Sequence, residues 1–304
     1  MSIDTLIVSQ ALIQHQDEVS LHPDVFLWEK ELTARSKDWF QCTAKSPLDW
    51  YAALLDFAPA ALIAARLSVV DESYKQLWVV TPYHARLMRD SVYVMAEGEF
   101  PWTAEDVESL CGLLNPWLQE EGMQLLHVGA ALLLASQDIW QVNPQGFAQI
   151  SGGKLPAHHH AGADGGRLNR LLSEIQMLLH QQPLPARRQR READVTGIWL
   201  WGGCACPTAS SNAPQTCPLA TRNPALQSLA DAKDARLMIT EAERWHTLAN
   251  RNNAIPKRVI LAGDGVAVLL TRGLLPSWGK TKWTAKSMKD EVQLLSLLRG
   301  WHAA

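Results

Sequence analysis

The chain has 304 residues, of which 47% are hydrophobic and 19% charged, with five Cys and a formal net charge of −3. That composition supplies a sizeable core and excludes disorder, a collagen-like repeat and a disulfide-dense scaffold. The length suits two domains or one large α/β unit. The charge is uneven: residues 1–150 hold 8 basic against 20 acidic side chains, and residues 151–304 hold 20 against 11. Such asymmetry points first to complementarity within the molecule and second to docking on an acidic partner. The aromatics are skewed as well, with 13 Trp against 5 Phe and 4 Tyr.

The opening DTLIVSQALI reads as a strand, VFLWEKELTAR as a helix, and Asp49–Phe57 as another helix started by Pro47. The start of the chain has no basic run leading into a long apolar one, so no secretory leader is expected. The most apolar window, Ala52 to Val70, contains Asp56, Pro59 and Arg66 and fits a core helix better than a bilayer span. With an odd Cys count, the expected setting is a reducing cytoplasm with no membrane partner.

LWVVTPYHARLMRDSVYVM predicts paired antiparallel strands broken at Thr81-Pro82. Thr103 then caps a helix that Gly122 ends, with Leu110, Leu113, Leu114 and Trp117 at helical spacing. MQLLHVGAALLLAS reads as two strands around Gly129. From Gly165 to His180, Leu168, Leu171, Leu172, Ile175, Leu178 and Leu179 form one apolar stripe of a helix, with Arg170 and Glu174 able to pair at i, i+4.

The stretch QQPLPARRQRREAD has no hydrophobic period and reads as a linker. It divides the chain into an N-terminal α+β lobe (1–181), a basic linker (182–194) and a C-terminal α/β lobe (195–304). VTGIWLWGG follows as a strand entering a glycine turn, then a polar loop to about Asn223. Beyond it ARLMITEAERW, KRVILAGDGVAVLLTRG and a final helix around MKDEVQLLSLLRGW alternate, which favours an α/β class.

Four candidate sites emerge. The first is the start of the Gly165 helix. His158, His159 and His160 precede Asp164 as its cap, Gly165 and Gly166 open the backbone, and Arg167 and Arg170 add charge. Free helix amides with arginines are the chemistry of a phosphate or carboxylate site. The second is Gly202-Gly203 with Cys204, Cys206 and Cys217, three thiols whose spacing allows Zn or an Fe–S centre with His246 or one of the three histidines; plain reduced thiols explain them too. The third is catalytic: no G-x-S-x-G, H-E-x-x-H or P-loop pattern occurs, and Asp264 between glycines reads as a turn. The fourth is nucleic acid, through Arg187, Arg188, Arg190 and Arg191, or through Lys280, Lys282, Lys286 and Lys289 around Trp283; a solvated linker explains the same letters.

The run HHHAGADGGRLNRLLSEIQMLLH, the basic stretch and VTGIWLWGG resemble the signature of the RpfE-type regulatory proteins of Proteobacteria. In that family a similar Asp-Gly-Gly…Glu-Ile-Gln-Met-Leu-Leu-His helix precedes a Trp-x-Trp-Gly-Gly strand, and the resemblance spans most of residues 78–304. It departs at Cys204, where the family usually has a third glycine. The resemblance implies a regulatory role. Some members are labelled relatives of cofactor-independent phosphoglycerate mutases, an alkaline phosphatase-like class with a Ser nucleophile and two metals; its long Asp/His/Ser motifs have no match here.

Together these readings lead to an α/β protein that is non-catalytic and regulatory or binds a small anion, with no cofactor assigned. The expected site brings Asp164, Gly165, Gly166, Arg167, Arg170, Glu174 and Gln176 against Trp199, Trp201, Gly202 and Gly203. The two tryptophans, two residues apart on a strand, would form its apolar wall. The expected partners are a small anionic ligand or a protein. A divergent mutase-like enzyme and a nucleic-acid-associated protein are the alternatives.

Overall fold

A computed structural model describes residues 3–15, 18–43, 46–67, 70–156, 162–207, 217–244, 255–263, 265–272, 283 and 287–302. The fold is α/β. The chain forms two compact units, one made of residues 1–56 and 215–304, the other of residues 57–214. The second is therefore inserted within the first, and the expected boundary at 182–194 falls inside a unit. The expected linker carries a short helix with a fully buried Arg187, which is why it does not separate anything.

The first unit opens with β1 (Thr5–Ser9), the hairpin β2 (Leu12–His15) and β3 (Glu18–Leu21), α1 (Pro23–Phe26), α2 (Glu29–Thr33), β4 (Ser36–Gln41) and α3 (Pro47–Leu55). The second contains α4 (Pro59–Ala64), β5 (Gln76–Tyr83), β6 (Ala85–Leu87), β7 (Val92–Val94), α5 (Ala104–Glu120), β8 (Met123–Val128), β9 (Ala131–Ser136), α6 (Gly165–Gln181), α7 (Pro185–Gln189) and β10 (Gly197–Ala205). The first unit then resumes with β11 (Leu219–Thr221), α8 (Pro224–Gln227), β12 (Leu237–Glu241), β13 (Arg258–Gly263), β14 (Val266–Thr271) and α9 (Glu291–His302).

In the first unit six strands run in the order β11-β12-β1-β13-β14-β4. The four from β11 to β13 are mutually parallel, and β14 and β4 are antiparallel additions. Near-continuous apolar runs such as Thr5–Ser9, buried along their whole length, are what a strand covered on both faces requires. Leu6, Val8, Val259, Leu261, Val268 and Leu270 pack on one face with Leu12, Val25 and Leu32. At the end of β13, Gly263 lies so close to the Leu12 carbonyl that a Cβ would sit 2.1 Å from that oxygen. The window Ala52–Val70 is two short helices, because Asp56 takes a left-handed φ of 64° at the end of α3 and Pro59 starts α4.

The second unit is built on an antiparallel sheet, β10-β5-β9-β8. One face of it, with Trp78, Val80, Leu132, Leu134, Ile198 and Leu200, packs against α5 through Val107, Leu110, Leu114 and Leu118. The same face meets the α6 stripe of Leu168, Leu171, Leu172, Ile175 and Leu179. Thr103 and Asp106 close a reciprocal capping box at the start of α5. β5 runs through Pro82 rather than breaking at it. Its pairing with β9 stops at Val80, so Pro82 needs a partner only on the β10 side, where it faces Ile198.

Candidate functional site

The helix α6 starts where Leu168 donates to the Asp164 carbonyl at 3.0 Å. Asp164 does not cap it through its side chain. Its carboxylate instead accepts from the Gln141 backbone N–H at 2.7 Å, tying the helix start to the segment after β9. Arg167 stands 2.8 Å from Asp138 in an ion pair whose two side chains are 49% and 56% exposed. Its guanidinium lies 4.8 Å over the Trp140 ring. Trp140 is 5% exposed, and its indole N–H finds no hydrogen-bond partner among the described residues. A Cβ added to Gly166 would meet nothing within 4 Å, so this turn is open to an approaching group. Arg170 is exposed and Glu174 half-buried, and no ion pair joins them among the described residues. His158, His159 and His160 lie outside the described residues.

The structure does not bring Trp199 and Trp201 to this helix. Ile198 and Leu200 point into the core shared with α6, so the alternation of the strand sends both tryptophans to the other face. That face carries α4, which packs on β10, β5 and β9. Trp199 donates its indole N–H to the Gln145 carbonyl at 2.8 Å, and Trp201 donates to the Thr81 hydroxyl at 2.8 Å. Both are buried. The glycines beyond them make a bulge where the register with β5 shifts between Trp201 and Cys204. Gly202 has φ 57° with Pro59 packed against it, and a Cβ on Gly203 would sit 2.4 Å from the Trp78 ring. They serve packing. Gln176 donates to the Tyr83 hydroxyl at 2.9 Å, a phenol whose pKa burial pushes up against that bond.

Cys204 and Cys206 belong to the second unit and Cys217 to the first. All five cysteines are free thiols. Burial, helped by Cys206, pushes Cys204 up to about 11, and burial raises Cys206 and Cys217 as well. That opposes the thiolate form a metal needs. Among the described residues no three His, Cys, Asp or Glu side chains form a metal-holding group, and His246 and Asp264 lie outside them.

Three of the four arginines of the basic segment are paired within the second unit. Arg187 pairs with Asp106 and lies 4.3 Å over the Phe100 ring; Arg190 reaches Glu105, Asp106 and Glu192; Arg188 stands 3.6 Å from Asp194. Lys280, Lys282 and Lys286 lie outside the described residues. Lys289 pairs with Asp38 at 2.7 Å, and Trp283 is buried edge-on against Trp39, donating to Glu29. Among the described residues of the two patches, Trp283 is buried and Lys289 is paired, while Arg191 makes no ion pair.

A polar cluster in the first unit lies outside the four candidate sites. It stands at the carboxyl ends of β1 and β12, where open parallel sheets place their ligands. Glu241 is fully buried, accepting from Asn223 at 2.7 Å and pairing with Arg244 at 3.6 Å. Ser9 donates its hydroxyl to the Thr240 carbonyl at 3.2 Å. His22 accepts at Nδ1 from the Asp24 N–H at 3.3 Å, and its Nε2 lies 3.9 Å from Glu243. Burial raises the Glu243 pKa; its backbone and His22 pull the other way, while Glu241 and Asp24 push it up. The signal was present in ITEAER, three charged residues closing an apolar strand.

The fold and these clusters define a two-unit α/β protein with polar groups at a helix start and at the carboxyl ends of parallel strands. No protein-family model matches the chain, and no curated protein matches it. Among solved structures it is similar to a cofactor-independent phosphoglycerate mutase from Thermoplasma acidophilum DSM 1728, at 11% identity and a TM-score of 0.36 over the whole of both chains. A likeness of that size carries no argument about function. No helix among the described residues is long and apolar enough to cross a membrane.

Proposed function

We propose that this is a cytoplasmic, non-catalytic regulatory protein that binds a small anion at the start of α6. The observation that carries the reading is Arg167, spread over Trp140 beside the open Gly166, and held by a carboxylate that is itself exposed. Asp138 occupies the place an anion would take, and an exposed ion pair of this kind is worth only about 0.2–1 kcal/mol. The free amides of the first turn of α6 favour negative charge.

The non-catalytic part is supported by groups among the described residues that are already engaged or held protonated. The Ser9 hydroxyl is given to a backbone carbonyl, Glu241 is held between Asn223 and Arg244, and the thiols of Cys204 and Cys217 are raised by burial. Five free thiols fit a reducing compartment.

Calorimetric titration with inorganic phosphate tests the reading. Arg167→Ala is expected to abolish binding. Asp138→Ala, which releases Arg167, is expected to tighten it by up to roughly five-fold. Silence from both the parent protein and Asp138→Ala overturns the site, and divalent-metal-dependent turnover of a phosphomonoester overturns the non-catalytic assignment.

A further inference from the structure

Directly after β5, the β6–β7 hairpin closes through the Met88 N–H donating to the Ser91 carbonyl at 2.7 Å. A third extended segment lies along β7: the Val94 N–H donates to the Gly153 carbonyl at 2.8 Å and the Leu155 N–H to the Val92 carbonyl at 2.8 Å. Register then aligns three side chains. Arg86 faces Tyr93 across the hairpin and Tyr93 faces Lys154 across the bridge, so Arg86, Tyr93 and Lys154 form one cross-strand row. All three are exposed, and the Tyr93 hydroxyl is pinned to the Gly152 carbonyl at 2.6 Å.

The end of the hairpin is apolar. Leu87 is 85% exposed and Met88 56%, with Arg89 next to them in the turn. Arg86, Arg89 and Lys154 make no ion pair among the described residues. The one carboxylate in the turn, Asp90, accepts from the Ser91 hydroxyl. The second unit as a whole has more acidic than basic residues, so this is a local reversal of sign.

We infer that the β6–β7 hairpin is a docking site for an anionic lipid surface. An apolar tip among cations, with a tyrosine between them, suits the headgroup region of a negatively charged bilayer. There Leu87 and Met88 leave water, the cations meet lipid phosphates, and the ring lies at the polar boundary. Single-stranded nucleic acid would use the ring and the cations but leave Leu87 and Met88 in water, which is why lipid is the occupant chosen. Such contact is peripheral and needs no spanning helix.

Co-sedimentation of the full chain with phosphatidylcholine vesicles, with and without phosphatidylglycerol, tests this. Binding is expected only with the anionic lipid, and is expected to weaken as salt rises. Each of Arg86→Ala, Arg89→Ala and Lys154→Ala is expected to weaken it roughly five-fold at low salt. Leu87→Glu with Met88→Glu is expected to abolish it, and Arg167→Ala, which removes the anion site on α6, is expected to leave it unchanged. Absence of vesicle binding overturns the inference, including when the hairpin instead captures single-stranded DNA or a second copy of the chain. Equal binding to neutral vesicles, persistence in the Leu87/Met88 variant, or loss in Arg167→Ala overturns it too.

Discussion

The guanidinium of Arg187 sits 3.0 Å from Asp106, and neither side chain has any exposed surface. Arg187 also donates to the carbonyls of Pro101 and Ala193 at 2.6 and 2.8 Å, so one side chain binds the start of α5 to the chain after α7. Removing one partner of a buried pair typically costs about 3–5 kcal/mol, because the other charge is left in a medium that cannot solvate it. Asp106→Asn breaks the pairs with Arg187 and Arg190 together and is expected to cost that much, measured by denaturant unfolding. Arg187→Met is expected to cost less, since Arg190 still holds Asp106 and a long apolar stem remains against Phe100.

Gly203 and Gly166 respond to alanine in opposite senses. A Cβ on Gly203 would lie 2.4 Å from the ring of the buried Trp78. The loss is expected to be about 1–3 kcal/mol, the usual cost of overpacking. Gly166→Ala meets nothing within 4 Å and is expected to raise stability by up to about 1 kcal/mol through helix propensity. Thermal unfolding of the two variants side by side checks the pair.

The stability of the first unit is expected to fall as pH rises past the ordinary glutamate range. Burial raises the Glu243 pKa, so the folded state holds that proton more tightly than the unfolded chain. The resulting stabilisation is full below the unfolded value and is lost as pH rises through the raised folded value. Glu243→Gln is expected to flatten this dependence. Thermal unfolding across the acid range, parent against variant, reads it directly.

Cys204 is expected to resist alkylation at neutral pH. With its pKa pushed up to about 11, its thiolate fraction at pH 7 is on the order of 10⁻⁴. Iodoacetamide labelling followed cysteine by cysteine should therefore accelerate about ten-fold per pH unit through the alkaline range.

Local patterns in the sequence carried over well where one residue type forces one geometry. The apolar stripe of α6, the Thr103 cap of α5, and the turn at Gly129 with its φ of 54° all stand where spacing and capping chemistry put them. Long-range pairing was not legible. Nothing in β1 announces that its neighbours begin at Leu237 and Arg258, and without that the inserted unit is invisible. The basic stretch misled because charge alone does not show burial: Arg187 is in the interior only because Asp106, Phe100 and two carbonyls meet it there. The tryptophan pair was correctly placed on one face of its strand, yet only the partners of Ile198 and Leu200 reveal which face α6 covers.

Insertion of one unit within the other sets an order on synthesis. β1 leaves the ribosome first, but Ser9 waits 231 residues for Thr240, its hydrogen-bond partner across the central strands. The second unit is complete by then. Within it Pro59 lies against Gly202, so its folding draws together two distant points of the intervening chain. Closing the parallel sheet afterwards means closing a much shorter effective loop, and the entropic cost falls with loop length. The late-made unit thus depends on the early-made one for its rate of assembly, and a nascent chain halted near residue 214 would hold a finished guest and an orphaned first strand.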